Sequence, residues 1–227
     1  MIRRCGLVFR LEKTIFGSQV RRLPFWSEPM RALLVLLAFW PALALAEPSP
    51  AQRLVEGGYA QIGVTIGYDP GYRQIAFPGG DVPSATGVCS DVVIRAYRRL
   101  GIDLQALVNE DMRRDFQAYP AIWHLSRPDP NIDHRRVPNL ATFFRRHGRS
   151  LPVTDRPGDY LAGDIVTWQL AAGVPHIGLV ADRTAAGNPL MIHNIGAGAK
   201  AEDVLFAFEI TGHYRYLPGE SGPAAGD

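Results

Sequence analysis

The sequence predicts an α+β fold, with helices first and an antiparallel sheet second, on three observations. Apolar residues recur at helical spacing in several segments between Ala51 and His147, and after Asp155 they collect instead into short runs bounded by Gly, Pro, Asp or Asn. Beyond residue 46 the chain holds 181 residues, a length that suits one domain able to bury its own core.

The first element is a leader. Ala32 to Ala46 reads ALLVLLAFWPALALA behind Arg31, shorter than the roughly 20 residues that span a bilayer, and it closes on Ala44-Leu45-Ala46 before Glu47. This is the form of a cleavable export signal, with Met30 as the expected start and residues 1–46 as leader and signal peptide. Cleavage leaves no stable membrane span and predicts a periplasmic or secreted protein. Of 24 basic and 22 acidic side chains the leader takes seven and two, so the remainder carries 17 against 20, a net charge of −3. The basic balance belongs to the leader and gives no case for nucleic acid.

Ala51, Leu54, Val55, Tyr59 and Ile62 predict a short amphipathic helix, followed from Gly63 to Gly87 by a structured surface loop rich in Gly, Pro, Asp and aromatics. Cys89, Val92, Val93, Ala96, Tyr97 and Leu100 share one stripe of a helix closed by Gly101. Leu104 to Tyr119 reads as a helix with a charged face, Ser126 to Pro138 as an extended connection, and Leu140 to His147 as a short basic helix. Strands are expected at Ile165 to Gln169, His176 to Ala181, Leu190 to His193 and Leu205 to Ile210. The single domain is set at residues 47–217, and the tail at 218–227 is disordered in composition.

With Cys5 removed in the leader, Cys89 is the one cysteine left, so it has no internal disulfide partner. Its place in a helix's first turn sets it beside unsatisfied N–H groups and the positive end of the helix dipole, which lowers a thiol pKa and supplies oxyanion donors. Asp91, two residues on, complements the dipole and slightly opposes thiolate formation. The base is expected at His176, which shares a strand face with Gly178 and Val180. If the following turn is Arg183 to Ala186, paired residue numbers sum to 369 and His193 stands opposite His176 as its orienting partner. Asn194 then faces the other side and is the reserve third residue, preferred instead if the turn shifts by one. Thiol, imidazole and orienting group in this order are the parts of a cysteine hydrolase.

The chain resembles the NlpC-type branch of the papain-like cysteine peptidases through Pro78-Gly79-Gly80 leading to Gly87-Val88-Cys89-Ser90, then Gly163-Asp164-Ile165-Val166, then His176-Ile177-Gly178-Leu179-Val180 with Ile192-His193 behind it. It is similar over Arg53 to Tyr216 to the exported bacterial family catalogued as domain of unknown function 1287, a likeness that includes Pro130-Asn131-Ile132-Asp133-His134-Arg135-Arg136-Val137-Pro138-Asn139-Leu140 and Ile192-His193-Asn194-Ile195-Gly196. The resemblance implies a papain-like fold with the nucleophile helix packed on the sheet. It implies Cys89 as nucleophile, His176 as base and His193 as third polar residue. NlpC-type relatives cut amide bonds in the stem peptides of peptidoglycan, so the expectation is an exported cysteine peptidase or amidase that uses no cofactor. An acyltransferase with the same nucleophile, or an inactive cell-wall binding module, are the alternatives.

Two departures leave the oxyanion-side donor unassigned. Val88 stands where NlpC-type enzymes usually carry Asp, and Ala76 where they carry a tyrosine before the paired glycines. Tyr72 or Tyr68 can reach in from the same loop. Tyr72, Asp91, His134, Arg135 and Arg136 are the candidate substrate contacts, since murein peptides carry free carboxylates that arginine forks bind. Asp133 and His134 lack a further ligand at a zinc-type spacing, so no metal is expected.

Overall fold

In the computed structural model, residues 47–218 are described; the leader and the tail beyond Pro218 lie outside them. Ser49 caps α1 (Pro50–Tyr59), accepting the Gln52 N–H while the Gln52 side chain accepts from the Ser49 N–H. Leu54 and Val55 are buried, and a Cβ on Gly58 would lie 2.9 Å from Ile192 and 3.0 Å from Leu179, so the helix lies against the sheet. The long loop after it is held by a short parallel ladder between β1 (Gly67–Tyr68) and β2 (Thr86–Gly87).

Helix α2 spans Cys89–Arg98, and Val92, Val93, Ala96 and Tyr97 form its buried stripe. Asp103 caps α3 (Leu104–Arg114), after which the predicted helix breaks at Asp115 into a 3₁₀ turn at Phe116–Ala118. The connection expected to be extended tightens into a second 3₁₀ turn at Asp133–Arg135. It runs straight into α4 (Val137–His147), where Pro138 occupies the first turn that a proline suits.

The antiparallel sheet has the order β3 (Arg149–Ser150), β8 (Glu209–Arg215), β4 (Ile165–Gln169), β5 (Pro175–Ala185), β6 (Asn188–His193), β7 (Lys200–Glu202). Residues alternate along β5. Ile177, Leu179 and Ala181 join the core that holds Cys89 and α2, whereas Val180 belongs to a second core on the opposite face with Val166, Trp168, Met191 and Leu205.

Three expectations about the sheet are corrected. The β5–β6 turn is the two-residue Ala186-Gly187, both at positive φ, rather than Arg183 to Ala186. Paired numbers sum to 373 beside it and to 371 beyond an irregularity between Val180 and Thr184, which sets His193 diagonal to His176 instead of opposite. Leu205 is no strand residue: its carbonyl accepts the Trp168 indole N–H at 2.9 Å, and the strand starts at Glu209. β7, unforeseen in the sequence, closes the sheet edge.

Candidate active site

Val88 is extended at the N-terminus of α2, and its N–H is caught by Asp91 Oδ2 at 2.6 Å, so the chain turns into the helix at Cys89. Asn194 fixes the approach: its Nδ2 donates to the carbonyls of Gly67 at 3.1 Å and Gly87 at 2.9 Å. Its oxygen accepts the Gly196 N–H. This buried amide is occupied in tying the loop to the end of β6, which removes the reserve third residue from the neighbourhood of the base.

Cys89 is only 4% exposed, yet it lines a cleft of about 320 Å³ whose walls include Tyr68, Ile122, Trp123, Arg136 and Pro175. The backbone N–H groups of Ile177, Ser90 and Cys89 itself favour the thiolate. Burial outweighs these donors and, with the Asp91 charge, pushes the thiol up to about 11, against the expectation that the helix end lowers it. The error lay in weighing the dipole without the loss of water.

Cys89 shares a buried core with Ile177, the residue that follows His176 on β5. His176 Nε2 lies 3.0 Å from His193 Nδ1, with the rings edge to face. His193 Nε2 lies 3.2 Å from Glu202 Oε2 across the β6–β7 pair, a contact too bent to count as an aligned hydrogen bond. Burial, then the neighbouring His193, holds His176 down at about 3; burial likewise lowers His193, against the pull of Glu202. The resting site therefore combines a neutral thiol with neutral imidazoles. Among the described residues no hydrogen bond joins Cys89 to His176, and none occupies His176 Nδ1. Gly178 is required beside them: a Cβ there would meet Trp168 at 3.1 Å and His193 Cβ at 3.3 Å.

The candidate substrate contacts separate. Arg135 donates from Nε and Nη2 to the two Asp91 oxygens at 2.8 and 2.9 Å, both side chains buried, and its other N–H groups hold the carbonyls of Gly71 and Asp69. Neither Asp91 nor Arg135 retains a free fork for a ligand. His134 is buried, pushed down to about 4 by desolvation, and does not line the Cys89 cleft. Tyr72 bonds Asp129 and Asn131 away from the cleft. Tyr68 does line it, and the charges of Cys89 and Asp91 add to burial in raising its pKa. Arg136 remains at the cleft wall, with its guanidinium 4.2 Å from the Trp123 ring centre and Nη1 on Asp133 at 2.7 Å. Val137, Pro138 and Pro175 separate this cleft from a second groove of about 420 Å³ lined by Thr142, Arg145, Thr167, Gln169 and Thr211.

The family described as "Domain of unknown function (DUF1287)" matches residues 55–216. The chain belongs to this family. The DUF1287 chain is 53% identical over 198 residues to the uncharacterized protein YijF of Escherichia coli (strain K12), covering 82% of this chain and 97% of that protein. It is also similar in structure to NlpC1 from Trichomonas vaginalis, at 17% identity and a TM-score of 0.42, covering 76% of this chain. The DUF1287 chain spans 46% of that structure, about half its length. Among the described residues no helix is long and apolar enough to cross a membrane.

Proposed function

We propose that the domain is a papain-like thiol hydrolase, exported to the periplasm or beyond, that cleaves amide bonds in peptidoglycan stem peptides. The observation that carries this reading is a cysteine at a helix N-terminus, in a cleft wall, sharing a core with the residue that follows a histidine whose far nitrogen is already engaged. Cys89 attacks the amide carbonyl while its proton passes to His176 Nδ1, so a sulfur–carbon bond forms and the carbonyl electron pair moves to oxygen. Collapse breaks the carbon–nitrogen bond, and the same proton leaves on the amine. Water then adds to the thioester with His176 again as base, releasing the acid and the thiol. The N–H groups at the start of α2 and the Tyr68 hydroxyl are the nearby donors for the oxyanion. Trp123 and Arg136 supply an apolar wall and a cation suited to a peptide bearing a free carboxylate.

A raised thiol pKa is compatible with this chemistry, because general-base removal of the proton during attack needs no resting thiolate. The same burial favours a second reading, a vestigial site in a murein-binding module. Mass spectrometry of murein fragments after incubation with the protein separates the two. New amine and carboxyl termini that vanish with Cys89→Ala support the hydrolase; binding without new termini supports the module.

A further inference from the structure

We infer that Glu202 is a positioning residue that sets the tautomers of both buried histidines and thereby exposes the basic nitrogen of His176. Glu202 opposes Met191 in the β6–β7 ladder and His193 opposes Lys200, so the two side chains are diagonal neighbours on one face. The buried His193 Nε2 makes no aligned hydrogen bond among the described residues, and Glu202 Oε2 lies 3.2 Å from it. A carboxylate has only acceptor oxygens, so an unprotonated His193 Nε2 would set a lone pair against one of them at 3.2 Å, and this repulsion favours the proton on Nε2. Its Nδ1 is then a lone pair facing His176 Nε2 at 3.0 Å, and His176 Nε2 must be the donor there. A neutral imidazole has one proton, so His176 Nδ1 is left unprotonated. One carboxylate two rings away thus determines which nitrogen of the base is free.

Without it the order can reverse. His193 can hold its proton on Nδ1 and donate to His176 Nε2, which protonates His176 Nδ1 instead and removes the base. The consequence for turnover rests on the hydrolase reading; the tautomers do not. In the reaction His176 becomes an imidazolium, and its Nε2–H bond to His193 is backed by the carboxylate beyond.

The test is long-range ¹H–¹⁵N correlation on ¹⁵N-histidine-labelled protein at neutral pH, where both rings should show protonated Nε2 and unprotonated Nδ1. Glu202→Leu should move His176 toward the Nδ1–H form and slow the cleavage of murein fragments by at least about tenfold, about 1.4 kcal/mol of barrier. Glu202→Asp should restore part of both. Lys200→Met, which removes the cation 3.8 Å from the other oxygen of Glu202, should leave the tautomers unchanged and serves as the control for a merely structural effect. A wild-type His193 protonated on Nδ1, or a folded Glu202→Leu protein with wild-type tautomers, overturns the inference. A wild type with these tautomers and no turnover sinks the hydrolase reading alone.

Discussion

His213 and His193 stand on strands of one sheet, both buried beside a carboxylate, yet the two neighbourhoods are built to opposite ends. Asp164 is fully buried and saturated: it accepts from Leu161 N–H at 2.9 Å, His213 Nε2 at 2.9 Å, and Arg215 Nε and Nη2 at 2.6 and 2.8 Å. Burial raises its pKa, but these donors outweigh it and hold the carboxyl below the usual range. His213 is stacked on Tyr160 at 4.3 Å, and its other nitrogen faces the Pro152 carbonyl. Nothing there is left over. Glu202 is 39% exposed and makes one bent contact with His193, while His176 at the end of the chain of rings keeps a nitrogen without a partner. A saturated pair fixes the fold, and an unsaturated one keeps capacity for a proton.

The largest expected effect breaks the second group. His176→Ala removes the base from a set of residues acting as a unit, so turnover of murein fragments should fall by a factor on the order of 10⁴ or more while urea denaturation still shows a folded domain. Turnover within tenfold of wild type would remove His176 from the chemistry. The mirror experiment breaks the first group. Asp164→Ala takes the shared acceptor from the buried His213, the partly buried Arg215 and the Leu161 N–H and should cost about 3–5 kcal/mol in the denaturation midpoint analysis. A loss below about 1 kcal/mol would mean that the saturated pair contributes little to the fold.

Acid should separate the groups by window. His176 sits near 3 in the folded chain against 6.5 as its ordinary value, and His134 near 4. The unfolded chain therefore binds more protons than the folded one below about pH 6.5, and stability falls as pH drops. Each group costs roughly 2 kcal/mol between pH 6.5 and 5. Asp164, also depressed when folded, acts in the same direction but only once pH falls below the ordinary carboxylate range. His176→Ala should flatten the upper window and leave the lower one. Equal slopes in the variant and the parent would show that the imidazole is not held neutral. At smaller scale, Gly178→Ala presses a methyl against Trp168 and His193 and should cost about 1–3 kcal/mol, with loss of the His176–His193 coupling seen by NMR.

Helix α2 was legible because its stripe has six members, and β4 because Gly163-Asp164 stand before it and Gly173 closes the link after it. The hairpin was legible in face and not in register. The two-residue turn and the irregularity after Val180 shift the pairing by two, and a shift of two returns every side chain to the same face, so His193 still meets His176. Glu202 escaped because β7 is a three-residue edge strand behind Gly196 and Gly198, too short for an alternation to register. The apolar Leu205 drew the last strand forward instead. Asp91 and Arg135 look like free charges in the sequence because their pairing spans 44 residues and no local pattern connects them.

The smallest effect concerns that pair, and it tests the electrostatics of Cys89 without any substrate. The Asp91 charge adds to the burial that holds the thiol at about 11, so at pH 8 only a small fraction is thiolate and alkylation by iodoacetamide should be slow. Asp91→Asn removes the opposing charge while retaining an oxygen for the Val88 N–H, and it leaves the Arg135 guanidinium as an unneutralised cation near the sulfur. Both changes favour the thiolate. On the rising limb of the profile the rate follows the thiolate fraction, so a fall of half a unit should appear as roughly a threefold faster reaction, alongside a loss of about 3–5 kcal/mol of stability from the broken buried ion pair. His176→Ala should not mimic it, because a neutral imidazole adds no charge beside the resting thiol. An unchanged or slower rate in Asp91→Asn would mean that desolvation alone governs Cys89, and that the helix's first-turn acid is confined to capping Val88 and anchoring Arg135.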